Sequence, residues 1–557
     1  MRFKFDASQE FQIRAVESVV SLLEGQPYIE TELQFRWGAG FAAVANRLDL
    51  DGNTLLDNLK AVQAGNNLPE DTELRLIEAE IETGEGQKEI RFPNFSVEME
   101  TGTGKTYVYI RTALELYRRY GLRKYIIVVP SIAIREGVLK TLRITEQHLR
   151  ELYGNLPYRY YVYDSGNLSQ IRQFALSDSV EIMVMTIDSF NKASNVIKQT
   201  TDRLQGETPI HLVQAARPIL ILDEPQNMES ELRIKALAAL YPLFALRYSA
   251  THRNPYNLVY RLTPFEAYRQ GLVKRVEIAG VEQEDEANRV FIRLEGIKTE
   301  KKTLTARIAV HKLMKNGTVK EQVVTVKPGD ALEPKTNRSE YAPFVVEEID
   351  AGSGCLRFAN GIELRLGEAR GADYEAIFEA QIRYAVEEHF RKQERFKEAN
   401  IKILTLFFID RVDNYVREDG IIRRLFIKAF NELKCKYPAW MDVDPLKVQA
   451  AYFAARRVKG GETVYEDSKT GESEKDREAY DLIMRDKERL LSFDEPTCFI
   501  FSHSALREGW DNPNVFQICT LNQTASEIKK RQEIGRGIRL AVNQTGDRVR
   551  DERVNVL

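Results

Sequence analysis

The sequence predicts an α/β protein built on two parallel sheets, and three observations predict it. Short apolar runs alternate with amphipathic helical stretches from residue 94 to 251. The same rhythm resumes near residue 402 and continues towards the end of the chain. Such runs are the mark of strands covered by helices on both faces of a parallel sheet. Third, a glycine-rich loop falls between a predicted strand and a predicted helix, the setting a phosphate-binding loop requires.

The elements follow in chain order. Residues 9–24 place Phe11, Ala15, Val16, Val19, Val20, Leu22 and Leu23 at helical spacing. Residues 25–92 alternate acidic stretches with breakers such as Asp51-Gly52-Asn53 and Gly65-Asn66-Asn67, and read as an insertion. Strands are expected at 95–99, 125–129, 182–186, 219–222 and 246–249, with a helix over 106–119. Between 275 and 370 the pattern changes to half-buried strands at 276–278, 290–294, 308–313, 322–326, 344–349 and 362–366, separated by Gly, Pro and Asn turns. This is a β-rich insertion between the two α/β regions. A charged amphipathic helix over 373–398 opens the second region. Strands are expected there at 402–408, 450–454, 497–502 and 515–520, with helices near 421–433 and 525–534. Residues 461–477 are polar and breaker-rich, as a surface loop is. The expected domains are 1–274, 275–370 and 371–557, with Val554–Leu557 as the start of a last strand.

Composition narrows the function. The 557 residues are 43% hydrophobic and 29% charged, an ordinary globular balance. Lys and Arg total 80 against 83 Asp and Glu, a net charge of −3, which excludes a surface basic all round but leaves room for a local basic groove. Cys355, Cys435, Cys498 and Cys519 lie far apart, and the six histidines show no ligand spacing, so neither a zinc site nor a disulfide framework is expected. No apolar run approaches the roughly 20 residues of a membrane span, and Met1–Asp6 carries no signal-peptide core. The expectation is a soluble, cytoplasmic protein.

Met99-Glu100-Thr101-Gly102-Thr103-Gly104-Lys105-Thr106 is the strongest site. Glycines let backbone N–H groups approach phosphate oxygens, and the following helix adds its N-terminal dipole. Lys105 suits β- and γ-phosphates, and the Thr106 hydroxyl suits Mg²⁺. Met99 stands where the strict phosphate-loop pattern has glycine, while the GxGKT that does most of the cradling is intact. Asp223 and Glu224 follow the apolar run Ile219–Leu222, where one acid can hold Mg²⁺ and the other can orient or deprotonate a water. Arg536 and Arg539, three apart on an expected late helix, share one face and suit the charge of a γ-phosphate.

These stretches, with IIVVPSIAIREGVLK, MTIDSFNK, ALRYSATHRNPYNLVYRL, ILTLFFIDRVDNY, FIFSHSALREGWDNPNVFQICTLN and KKRQEIGRGIRLAVNQ, resemble superfamily 2 helicases and translocases. More closely, the chain resembles the Res subunit of type III restriction–modification enzymes, on its DEPQ motif and LREGWDNPNVFQICTLN. The resemblance implies two RecA-like domains with ATP and Mg²⁺ between them. It implies that Gln12 reads adenine and that Thr101, Gly102, Thr103, Gly104, Lys105 and Thr106 bind the nucleotide, with Gly509 and Asp511 beside it. It further implies that Thr106 and Asp223 hold the metal, that Ser249, Ala250, Thr251 and Gln532 couple hydrolysis to movement, and that Pro130, Ser131, Arg135 and Thr186 touch the nucleic-acid backbone. DNA and a methyltransferase (Mod) subunit are the implied partners. Res subunits resembling this one continue into an endonuclease domain that is not readable here, so the chain is expected to be truncated before it. Three rival readings stay open: an endonuclease to which the motor is subordinate, another superfamily 2 DNA or RNA helicase without a restriction role, and a non-catalytic regulatory fragment.

Overall fold

The computed structural model describes the chain except for residues 1–4, 31–32, 36–41, 84–85, 165–166, 168, 192–196, 198–207, 281–289, 301–302, 315–316, 353, 371–373, 411, 418, 454, 458–462, 466–481, 484–485, 504–509, 511 and 522–526. Contacts divide it into two compact units. One comprises Met1–Glu277, Glu387–Val416 and Lys434–Leu557, the other Ile278–Val386 and Arg417–Leu433.

The first unit opens with helix α1 (Glu10–Val20), the short antiparallel pair β1 (Leu33–Phe35) and β2 (Ala42–Val44), and helix α2 (Gly52–Gly65). Then come β3 (Leu76–Thr83), β4 (Gly86–Met99), α3 (Lys105–Tyr120), β5 (Lys124–Val129), α4 (Ile132–Leu152), β6 (Tyr158–Val162), β7 (Val180–Thr186), β8 (Ile219–Asp223), β9 (Ala245–Ser249) and β10 (Leu258–Leu262). Seven of these strands form a parallel path in the order β10-β4-β9-β8-β5-β7-β6, and β3 adds to β4 antiparallel. β5, β8 and β9 are buried at every residue, which is why Tyr125–Val129 and Ile219–Leu222 read as unbroken apolar runs, while β9 also buries Arg247.

β4 begins nine residues before the predicted Phe95, because its first part pairs with β3 and not with the parallel strands. The segment 25–92, expected as an insertion, is tied to the sheet edge through α2. Gln63 donates to the Leu258 carbonyl (3.0 Å) and Asn66 to that of Val259 (2.7 Å). Asp51 caps α2 by accepting from the Asn53 and Thr54 amides. α3 ends at Gly121, whose φ is +71° and where a Cβ would lie 2.3 Å from the Ile29 carbonyl oxygen.

The second unit holds antiparallel strands. β11 (Ile292–Glu300), β12 (Thr303–Leu313), β13 (Val319–Val326) and β17 (Ala369–Arg370) form one sheet in the order β13-β12-β11-β17. β14 (Val346–Asp350), β15 (Cys355–Phe358) and β16 (Glu363–Arg365) form another. Their shared core includes Ile292, Ile308, Val310, Tyr341, Leu356 and Phe358. The strand expected at 276–278 is absent: Ile278 is 88% exposed and Val276 40%, so neither has a surface to pack on.

The closing part of the first unit carries β18 (Leu404–Phe408), β19 (Gln449–Tyr452), the small antiparallel pair β20 (Ala455–Arg457) and β21 (Thr463–Tyr465), β22 (Phe499–Ser502) and β23 (Val515–Thr520). Its sheet is parallel, in the order β19-β22-β18-β23. The polar stretch 461–477 lies mostly outside the described residues. Val554–Leu557 is not a strand: Val556 makes one parallel bridge to Arg275. No disulfide joins the four cysteines. Among the described residues no group of three or more metal-binding side chains occurs, and no helix is long and apolar enough to cross a membrane.

Gly121→Ala combines a left-handed φ with a clash against backbone. It is expected to cost about 2–4 kcal/mol, seen as a lower urea midpoint for the first unit; an unchanged midpoint contradicts the packing described.

Candidate nucleotide site

The parallel strand order sets the site. β4, β9 and β8 are neighbours, so the loop after β4, the acids after β8 and the Ser249-Ala250-Thr251 turn after β9 emerge side by side at the carboxyl ends of the strands. Ligands of α/β sheets bind at such ends.

The loop is shaped by two glycines with positive φ, Gly102 at +84° and Gly104 at +95°. Both are closely covered. A Cβ on Gly104 would lie 2.7 Å from the Gln12 amide nitrogen, and one on Gly102 would lie 3.0 Å from Cγ of Arg539. Gln12 Nε2 donates to the Thr103 carbonyl (3.0 Å), so α1 braces the loop directly. The Thr103 hydroxyl donates to the Glu100 carbonyl (2.6 Å), and Glu100 Oε1 accepts the Thr101 amide (2.8 Å). Gly104 precedes the first turn of α3, whose N–H groups have no acceptor within the helix. Lys105 and Thr106 stand on that turn.

Lys105 bridges the loop and the acids. Its Nζ lies 3.3 Å from the Met99 carbonyl and 3.5 Å from Glu224 Oε1. Glu224 adopts a left-handed backbone (φ +55°, ψ 58°), which costs an ordinary residue about 1–2 kcal/mol and turns its carboxylate back over β9. There it accepts from Gln226 Nε2 (2.7 Å) and from the Ser249 hydroxyl (2.9 Å). Gln226 also reaches the Thr251 hydroxyl (3.4 Å), and the Thr251 amide donates to Ser249 Oγ (3.0 Å). Asp223 is buried, and the hydroxyl of Tyr109 donates to its Oδ2 (3.2 Å).

The two acids are pushed apart. Burial, and then the Glu224 charge, drive the Asp223 carboxyl up to about 7, against the pull of Lys105 and Tyr109. Burial also pushes Glu224 up, but the Lys105 charge and the bonds from Gln226 and Ser249 outweigh it and hold this carboxyl below its ordinary range. The donor set fits a nucleoside triphosphate with a divalent cation. The loop offers a cradle closed to any Cβ, one ammonium faces it, and a buried carboxylate beside the Thr106 turn is short of positive charge.

Arg536 and Arg539 depart from the reading as neighbours on one helix face. The helix ends at Ile534, stopped at Gly535 and Gly537. Arg536 is buried in the turn that follows and donates to the Trp510 carbonyl (2.9 Å). Arg539 lies on an isolated antiparallel bridge to Val273 and rests on Gly102. Of the two, Arg539 is the one brought to the loop. Arg531, on the helix itself, approaches Glu100 at 3.8 Å.

Pro130 and Ser131 follow the end of β5, beside Thr186 at the end of β7, since Val129 and Thr186 are register partners, and Arg135 stands on the first turn of α4. Ser131 caps α4 by accepting the Ile134 amide (3.4 Å), Arg135 pairs with Glu136 (3.0 Å), and Thr186 shares a hydrogen bond with Ser189 (2.8 Å). Ala250 is buried next to Ser249. Gly509 and Asp511 lie outside the described residues, as does the side chain of Gln532.

Sequence reasoning passed over Gln226 and Tyr109. Gln226 had a local signal, two positions after Glu224. Tyr109 had none, because its partner is more than a hundred residues away.

The Asp223 shift carries a stability consequence. Its folded value lies above the ordinary 3.8, so ionisation opposes folding. That cost is absent below the unfolded value, grows as pH rises towards about 7, and is full above it. Asp223→Asn is therefore expected to raise the unfolding temperature of metal-free protein more at pH 8 than at pH 5. An equal gain at both contradicts the burial-driven shift.

Comparison with known proteins adds the family. Residues 44–254 match the family model described as Type III restriction enzyme, res subunit. The chain is 31% identical to the Res subunit of the type III restriction–modification enzyme EcoP15I of Escherichia coli, over 90% of this chain and 52% of that one. It is 30% identical to the EcoPI Res subunit of Escherichia phage P1, over 82% of this chain and 48% of the relative. It is also 30% identical to the StyLTI Res subunit of Salmonella typhimurium, over 82% and 51%. The chain spans about half the length of these curated relatives. Residues 44–254 carry the match to the Res-subunit family model, and the similarity to Res subunits of type III restriction enzymes extends over most of the chain.

Proposed function

We propose that this chain is an ATP-hydrolysing motor that acts on DNA in a type III restriction system. The observation that carries the reading is the continuous network from Lys105 through Glu224 and Gln226 to Ser249 and Thr251. It joins a phosphate cradle, an ionised carboxylate and the turn after a neighbouring strand in one hydrogen-bonded unit.

The loop amides of Thr101–Thr106 and the Lys105 ammonium hold the β- and γ-phosphates. Thr106 and Asp223 are the residues to hold Mg²⁺, which when bound neutralises charge on the phosphates. Glu224, held ionised, takes the proton of the attacking water, and Gln226 with Ser249 fix its direction. Arg539, resting on Gly102, places positive charge where the transferred phosphoryl becomes more exposed. Arg536 instead steadies the Trp510 backbone in the segment that also carries Gly509 and Asp511. Gln12 reads the adenine edge with the part of its amide that Thr103 leaves available.

The coupling follows from the same bonds. A change in charge or position at Glu224 is felt at Ser249 and Thr251 through Gln226, with Ala250 between them and Gln532 on the late helix as a further coupling residue. Pro130, Ser131, Arg135 and Thr186 contact the DNA backbone, which positions a duplex without reading sequence. Sequence choice then falls to a methyltransferase (Mod) partner, in the cytoplasm.

Glu224→Gln is expected to keep ATP binding and to lower kcat by about 10²-fold or more, measured as phosphate release with duplex DNA, single-stranded DNA and RNA in parallel. Hydrolysis at the wild-type rate contradicts the reading, and stimulation by RNA alone favours an RNA helicase. Gln12→Ala is expected to raise KM for ATP more than that for GTP, the rise common to both coming from the lost brace on Thr103; equal rises contradict adenine reading.

A further inference from the structure

Lys274 is 2% exposed, yet among the described residues its side-chain nitrogen has no carboxylate as a hydrogen-bond partner. Burial, and then the like charge of Lys392, push its pKa well below the ordinary lysine range. A buried cation without a counter-ion is expensive to keep, so what surrounds it matters. Its Nζ donates to three backbone carbonyls, those of Pro513, Val515 (2.8 Å) and Gly537 (2.9 Å), and sits 4.4 Å from the centre of the Phe516 ring. The first carbonyl ends the REGWDNP segment and the second opens β23. The third lies between Arg536 and Arg539.

The backbone around Lys274 is woven into the same place. Its N–H donates to the Ile538 carbonyl (2.7 Å), and Val273 bridges Arg539. Arg275 donates its N–H to the Asn555 carbonyl (2.9 Å), and Glu277 to that of Leu557 (3.0 Å). The segment that leaves the first sheet therefore runs as a strap along residues 537–539 and 555–557. Gly537 leaves no slack: a Cβ there would lie 2.4 Å from Leu557 Cδ1. The Gly537 carbonyl on the ammonium and the Ile538 carbonyl on the Lys274 N–H fix the peptides on both sides of Ile538, and Arg539 leaves that fixed backbone to rest on Gly102 of the phosphate loop.

We propose that Lys274 is a positioning residue for Arg539: its buried ammonium pins the Gly537–Arg539 backbone to the start of β23 and so sets the guanidinium over the phosphate loop. The inference rests on the nucleotide site proposed above. Lys274 touches no substrate; its effect reaches the reaction only through Arg539.

A double-mutant cycle tests this. Lys274→Met keeps the length of the side chain and removes its charge and donors. It is expected to lower kcat for ATP hydrolysis about tenfold or more with KM within about twofold, since an arginine that acts on developing charge affects the transition state more than binding. In an Arg539→Ala background the same substitution is expected to change kcat little, because the residue it positions is gone. A full repeat of the Lys274→Met effect in that background overturns the proposal and leaves Lys274 a structural lysine. So does a Lys274→Met protein with wild-type kcat. If the methionine variant does not fold, Lys274→Gln, which retains an amide donor, takes its place in the cycle with the same expected non-additivity. Arg539→Ala at the wild-type rate removes the role given to Arg539, and this inference with it. A slowed Arg539→Ala beside an additive Lys274 variant overturns this inference alone.

Discussion

Two carboxylates, Asp223 and Glu224, share one lysine, and the site is arranged around that shortage of positive charge. Adjacent acids at the end of a buried strand cannot both ionise freely. The left-handed backbone at Glu224 separates them, sending one into the protein beside Tyr109 and the other over β9 towards Ser249 and Gln226. Lys105 and the hydrogen bonds hold Glu224 charged, while Asp223 is left with a demand that a divalent cation meets. The rest of the first unit delivers these groups to one place. The order β4-β9-β8 puts the loop, the turn and the acids side by side, and α1 braces the loop through Gln12.

The same sheet explains which parts of the fold were legible. β5, β7, β8 and β9 were plain because strands buried on both faces are mostly apolar, and α3 was plain because Gly104 and Gly121 mark its ends. β3 and β6 escaped notice. β6 is buried only at Tyr158, and β3 alternates exposed with buried residues in an antiparallel pair whose acidic outer face looked like loop. The run at 276–278 misled in the opposite direction: its residues have strand-like character, yet two of them lie largely in solvent.

At the site, residues with a local signature were readable and residues defined by distant contacts were not. The loop and the acid pair declare themselves by spacing. Tyr109 and Lys274 look ordinary in sequence, and only the folded chain brings one to Asp223 and the other to Gly537. The two arginines fall between these cases. Their identity was legible, but their placement was not, because the helix ends at Ile534, before either is reached, and the turn that follows sends Arg536 inwards to Trp510 and Arg539 outwards to the loop.

In the function proposed above, ATP is hydrolysed at the Lys105 loop in a manner that responds to DNA. The most direct measurement is steady-state phosphate release by the purified chain and by Lys105→Ala, each with and without duplex DNA. Release that rises with DNA in the wild type and is lost in the variant is the predicted result. Equal release by both proteins, with DNA or without it, would contradict the account.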